Sequence, residues 1–139
     1  MGTTLEPNGH VSLVLVSHSA EIASGLAEMA RQIAGPEVQI VGAGGAVDGS
    51  LGTDGGRVLE ALRAVAAGAG AVVLVDLGSS VLSVRAALNE LSAEELEHLS
   101  VADAPLVEGA VAAAVAASTG CSHAEAARAA EEARTVAKL

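Results

Sequence analysis

Short, nearly uninterrupted apolar runs alternate with segments of helical period along this chain, and that alternation leaves few folds open. Val11-Ser12-Leu13-Val14-Leu15-Val16 is rich in β-branched residues and apolar at almost every position, as a strand covered on both faces must be. It stops at Ser17-His18-Ser19. From Ala20 to Ile33, the residues Ile22, Ala23, Leu26, Met29, Ala30 and Ile33 recur at three- and four-residue steps, which predicts an amphipathic helix with these positions on its apolar stripe, ended by Gly35-Pro36. Val38 to Val41 predicts a second strand, Gly42 to Gly56 a long glycine-rich loop, and Val58, Leu59, Leu62, Val65 and Ala66 a second helix. Ala71 to Asp76 is the third strand. Val81, Val84, Ala87, Leu88 and Leu91 mark the next helix, with Ser79 or Ser80 as its N-cap. A fourth strand falls near Ser100 to Ala104, before Pro105. Two alanine-rich helical segments, Val107 to Ser118 and Ser122 to Lys138, finish the chain on either side of Gly120.

Strands alternating with helices imply an α/β domain: an open, mainly parallel sheet of four or five strands with helices on both faces. Residues 1–9 read as a loose polar tail and residues 10–139 as one domain. In sheets of this kind ligands bind at the carboxyl ends of the strands, in the crevice where strand order reverses. With the order 2-1-3-4, that crevice lies between strands one and three. Ser17-His18-Ser19 and Asp76-Leu77-Gly78-Ser79-Ser80 would then flank it.

Composition removes several classes of function. The chain has no Phe, Tyr or Trp although 51% of its residues are hydrophobic, so the core is built from Ala, Val, Leu and Ile. Base stacking, sugar stacking and aromatic cation cages all need flat π surfaces. The formal charge of -10 repels a phosphate backbone, so nucleic acid is not an expected partner. Cys121 is the single cysteine, which fits a reducing compartment, and the cytoplasm is the expected one. No apolar run approaches the ~20 residues that span a bilayer, and residues 1–10 do not resemble a secretion signal. His10, His98 and His123 lack metal-ligand spacing and read as exposed polar residues, so no metal is expected. A P-loop, a dinucleotide fingerprint and the Gly-x-Ser-x-Gly of α/β-hydrolases are all missing.

What remains is a histidine opposite an aspartate. A histidine offers a ring nitrogen as nucleophile near neutral pH without help from a metal. A carboxylate from Asp76, hydrogen-bonded to one ring nitrogen of His18, would fix the tautomer, aim the other nitrogen outward and stabilise the charge that develops during attack. Phosphoryl transfer asks mainly for alignment and for donors to the equatorial oxygens. Gly78, Ser79 and Ser80 at a helix amino end, with Ser19 and Thr53, could supply them. Plainer roles stand beside these: Ser79 and Ser80 as N-caps, and Thr53 as the cap of the second helix with Asp54 in its first turn. A module that binds a small anion without reaction, or a serine hydrolase using Ser79 or Ser80, are the other classes these residues permit.

Four motifs carry a resemblance: Val-Ser-His-Ser at Val16 to Ser19, Gly-Thr-Asp at Gly52 to Asp54, Val-Asp-Leu-Gly-Ser-Ser at Val75 to Ser80, and Ala-Pro-Leu-Val-Glu-Gly at Ala104 to Gly109. From about Val11 to its end the chain resembles the phosphoryl-donor subunit of phosphoenolpyruvate-dependent dihydroxyacetone kinase, a relative of the mannose-family enzyme IIA domains of the bacterial sugar phosphotransferase system. The resemblance implies that His18 carries the phosphoryl group covalently, with no bound cofactor, and that Asp76 orients it. It implies a donor, the histidine-containing phosphocarrier protein, and an acceptor, ADP on the kinase's nucleotide-binding subunit. It also implies a homodimer. Sugar-transporting relatives usually have Trp and two glycines after the aspartate. Leu77 and Gly78 before the serines favour the dihydroxyacetone branch over an enzyme IIA for sugar uptake.

Overall fold

The computed structural model describes residues 9–139, so the tail expected over residues 1–9 lies, but for Gly9, outside the described residues. In order along the chain come β1 (Ser12–Ser17), α1 (Ala20–Ala34), β2 (Ile40–Gly44), α2 (Gly55–Val65), β3 (Ala71–Val75) and α3 (Gly78–Leu88). They are followed by α4 (Ala93–Leu96), β4 (Leu99–Val101), α5 (Leu106–Ser118), α6 (His123–Glu132) and a 3-10 turn at Ala133–Thr135. The four strands form one parallel sheet in the order β2-β1-β3-β4. Because β1 turns first to β2 and then to β3 on its other side, the order reverses next to β1. Val16 pairs with Ala43 on one side and Val75 on the other, so β1 and β3 end level with each other.

Alternate residues of β1 enter opposite layers, as the period of a strand requires. Leu13 and Leu15 pack with residues of α1, α5 and α6, while Val14 and Val16 pack with α2 and α3. The first layer is mostly alanine. From α5 it takes Ala110, Ala113, Ala114 and Ala117, and from α6 Ala126, Ala127 and Ala130. A Cβ on Gly109 would lie 2.8 Å from Leu74 Cδ2, which shows how closely α5 rests on β3. Without aromatic rings, the core reaches interior packing density by bringing its layers together.

That closeness explains where the sequence reading and the structure part. The buried face of α1 is Ala23, Leu26, Ala27 and Ala30, whereas Ile22, Met29 and Ile33 are exposed. α1 lies so near β2 at Ala23 that a small residue is needed there, and of the larger side chains of the stripe only Leu26 is buried while Ile22, Met29 and Ile33 lie at its margins. The same contact moves the second strand. β2 is Ile40–Gly44 and includes residues read as the start of a glycine-rich loop. A Cβ on Gly42 would stand 2.8 Å from the Ala23 carbonyl oxygen, and one on Gly44 2.5 Å from that of Ser19. These glycines admit a neighbouring backbone rather than loosen the chain.

Other boundaries also differ. Gly55 and Gly56 open α2, and its N-cap is Asp54, which accepts the Arg57 N–H, in place of Thr53. β4 is Leu99–Val101, shorter than the Ser100 to Ala104 segment expected. The short α4 was not anticipated, although Ser92 and Glu95 carry its capping box. The last helix ends at Glu132, short of Lys138. No helix among the described residues is long and apolar enough to cross a membrane.

Candidate functional site

His18 occupies the two-residue turn between β1 and α1. Ser19 is the N-cap of that helix: its Oγ accepts the Ile22 N–H at 3.2 Å, and its own N–H donates to Ser17 Oγ at 3.0 Å. Asp76 directly follows β3, and its N–H donates to the Val16 carbonyl at 3.2 Å. The level ends of two adjacent parallel strands thus bring together residues 58 positions apart.

Both oxygens of Asp76 are held. Oδ1 accepts from Ser80 Oγ at 2.8 Å and from the Leu77 N–H at 2.6 Å, and lies 3.0 Å from His18 Nδ1. Oδ2 accepts from Ser17 Oγ at 2.8 Å and from the His18 N–H at 2.9 Å. Burial acts to raise the pKa of this carboxyl. The hydrogen bonds from the His18 N–H, Ser80, Ser17 and the His18 ring together outweigh it and hold the group well below the usual carboxylate range. An ionised carboxylate only accepts, so the proton of a neutral His18 ring sits on Nδ1 and the lone pair on Nε2. Nε2 is directed away from Asp76 and meets the Ser79 hydroxyl.

The first turn of α3 is built differently from the sequence expectation. Its N-cap is Leu77, in extended backbone and with no side-chain cap, so Ser79 and Ser80 stand inside the helix and neither is the cap. Ser80 is fully buried and points inward. Its hydroxyl lies 3.1 Å from His18 Nδ1 and 3.1 Å from Thr53 Oγ1, and its N–H donates to the Leu77 carbonyl. Ser79 and Gly78 are exposed, and their backbone N–H groups donate to no protein acceptor among the described residues. The loop between β2 and α2 also reaches the site, where the Gly52 N–H donates to the His18 carbonyl at 2.8 Å.

Of the residues expected at the site, His18, Asp76, Ser79 and Ser80 converge, and Thr53 joins them through Ser80. The hydroxyl and N–H of Ser19 are both engaged in the turn itself. Ser17 was missed, and its signal was a single hydroxyl closing an otherwise apolar strand. A groove of about 620 Å³ opens beside Asp76, with Leu77, Val81, Arg85, Leu88 and Asp103 among its lining residues. Three further histidines are partly buried rather than exposed: His10 faces Glu37 at 3.7 Å, His98 Nδ1 lies 3.0 Å from the Glu94 carbonyl, and His123 Nδ1 lies 2.7 Å from Ser100 Oγ. No group of three or more His, Cys, Asp or Glu suited to a metal ion occurs among the described residues.

Comparison with known proteins adds the lineage. Residues 12–127 match the family model EIIA-man, the PTS system fructose IIA component. The chain belongs to the EIIA-man family. A Listeria innocua protein, the phosphoryl donor subunit DhaM of PEP-dependent dihydroxyacetone kinase 2, is 42% identical over 76% of this chain and 84% of its own length. The phosphoryl donor subunit DhaM of Escherichia coli is 40% identical over 79% of this chain, which spans only 24% of that longer protein. The crystal structure of EF1359, a protein of unknown function, superposes with a TM-score of 0.76 at 34% identity, covering 88% of this chain and 93% of that one. The family resemblance and the open parallel sheet in the order 2-1-3-4 are both borne out.

Proposed function

We propose that this EIIA-man domain is the phosphoryl donor subunit of a phosphoenolpyruvate-dependent dihydroxyacetone kinase, and that it carries the phosphoryl group on His18 Nε2. One observation carries the reading: the Nδ1 side of His18 is occupied by a fixed, ionised Asp76, while Nε2 faces outward. The Nε2 lone pair attacks phosphorus on the phosphohistidine of the histidine-containing phosphocarrier protein. A new N–P bond forms as the donor's N–P bond breaks, and the donor's imidazole leaves with the electron pair. Asp76 stabilises the cationic ring that results. The reverse sequence, with a β-phosphate oxygen of ADP on the nucleotide-binding subunit as nucleophile, makes ATP and restores the neutral ring.

The donors for the phosphoryl oxygens are the free N–H groups of Gly78 and Ser79 and the Ser79 hydroxyl, which rotates away from Nε2 as the phosphoryl group arrives. Ser80 and Thr53 support the ring and carboxylate from behind, and Ser19 holds the turn. No Lys or Arg donates to these residues among those described, so the load is held without a permanent counter-cation. Arg85 lines the adjoining groove. The phosphoryl group is covalent cargo, and the chemistry needs no bound cofactor. The relatives named for dihydroxyacetone kinase support this branch. The family description as a fructose IIA component supports a second reading, an enzyme IIA for sugar uptake.

The test is reconstitution. With phosphoenolpyruvate, enzyme I and the phosphocarrier, the protein takes up one acid-labile phosphate, and the ADP-loaded nucleotide-binding subunit of the kinase then discharges it. The His18→Ala protein takes up none. Uptake by that variant overturns the carrier reading, and discharge only to a sugar-specific enzyme IIB moves the protein to the sugar branch.

A further inference from the structure

Ser17 closes β1 with a side chain from which solvent is excluded, and the phosphotransfer steps above make no direct use of it. A hydroxyl has one proton to give. That of Ser17 goes to Asp76 Oδ2 at 2.8 Å, while the oxygen accepts the Ser19 N–H at 3.0 Å. Buried as it is, the group has no water to exchange these partners for. Among the described residues, the only other donor to Oδ2 is the His18 N–H. If Ser17 were removed, Oδ2 would be held only by the residue whose ring Oδ1 is meant to orient. The carboxylate plane would then be set from one side, and the Ser19 N–H would lose its acceptor inside the turn that carries His18.

We infer that Ser17 is a positioning residue for phosphotransfer: its hydroxyl fixes the plane of the Asp76 carboxylate, which keeps the proton on His18 Nδ1 and leaves Nε2 as the nucleophile. This rests on the reading of His18 as the phosphoryl carrier. It goes beyond that reading by making the tautomer of His18 depend on a hydroxyl that touches neither the ring nor the phosphoryl group. Arg85 of α3 and Asp103 beyond β4 are the charged groups of the groove beside Asp76, and substitution at position 17 leaves both in place. A change at Asp76 therefore reports the hydroxyl.

The experiment compares wild type with Ser17→Ala, Ser17→Thr and Ser17→Val. It reads the Asp76 carboxyl by 13C NMR across pH, the His18 ring nitrogens by 15N NMR, and the single-turnover rate of phosphoryl uptake. A hydrogen bond to a charged group is worth roughly one pH unit or more. Ser17→Ala is expected to raise the Asp76 titration by about one unit, to turn a single ring tautomer into a mixture, and to slow uptake about tenfold. Thr and Val have the same shape and differ in the hydroxyl, so Ser17→Thr restores all three readouts and Ser17→Val does not. That pair carries the test if Ser17→Ala fails to fold. Unchanged Asp76 and His18 signals in Ser17→Ala, or equal behaviour of the Thr and Val variants, overturns the assignment and leaves Ser17 a filler of the strand end. The NMR readouts need no phosphotransfer partner, so they stand even if uptake by His18→Ala removes the carrier reading.

Discussion

The two nitrogens of one imidazole lie in opposite surroundings. Nδ1 faces a closed cluster in which Ser17 and Ser80 are fully buried and Asp76 accepts from side chains and backbone alike. Nε2 faces an exposed helix start, where Ser79 is its one hydrogen-bond partner among the described residues and Leu77 is 62% exposed. The inner side offers the ring a single arrangement, and the outer side leaves room for a visiting group. On the proposed reading, orientation and reactivity belong to different nitrogens, and each can be altered while the other is kept.

The largest effect belongs to the inner side. Asp76→Asn keeps the shape but can turn an N–H toward Nδ1, favouring the tautomer with its proton on Nε2. Phosphoryl uptake should fall about 100-fold in quench-flow measurements with the phosphorylated carrier. A loss smaller than threefold would show that the ring is oriented by something other than this carboxylate. A second effect of the same group appears in acid. The folded protein holds the Asp76 pKa below its unfolded value of ~3.9, so its stabilising contribution is complete above that pH and declines as the pH falls toward the depressed folded value. Urea unfolding of wild type and Asp76→Asn between pH 6 and 2.5 should therefore show a stability gap that narrows below about pH 4. A gap independent of pH would mean that Asp76 is not ionised in the native state.

The smallest effect belongs to the outer side. Ser79→Ala removes the hydroxyl at Nε2 but leaves the free N–H groups of the helix start. Uptake should change by less than about threefold, while the phosphorylated form should lose its phosphate faster in buffer, because one donor to the phosphoryl oxygens is missing. A loss as large as that of Asp76→Asn would erase the distinction between the two sides.

The parts of this site legible in the sequence were those set by topology. Strands one and three run into His18 and Asp76, and adjacent parallel strands that end level bring such residues together. What depended on backbone angles or on closeness was not legible. Ser79 and Ser80 look like caps because capping chemistry favours serine, yet the capping position is decided by where the chain leaves extended geometry. Here that residue is Leu77, whose N–H is taken by the Asp76 carboxylate. Thr53 reads as the cap of α2 with Asp54 in its first turn, but Asp54 is the cap, and the backbone decides between two residues of capping type. Half of the α1 stripe, Ala23, Leu26 and Ala30, is buried as read; Ile22, Met29 and Ile33 are not, because periodicity weighs them above alanine while the close approach of α1 to β2 at Ala23 favours alanine there. Gly42 and Gly44 were misread for the same reason, since a glycine that admits a neighbour looks in sequence like one that loosens a loop.

The turn that holds His18 is two residues long, pinned by a strand on one side and a capped helix on the other, with the Gly52 N–H bound to its carbonyl. If the ring carries the phosphoryl group as proposed, it does so from a mount fixed at both ends. On that reading adaptation would fall to the visitor: the docking protein would shape itself to a fixed target and seal Nε2 from water. Between encounters, the lifetime of the phosphorylated form would then be governed, on the proposed reading, by hydrolysis in the open.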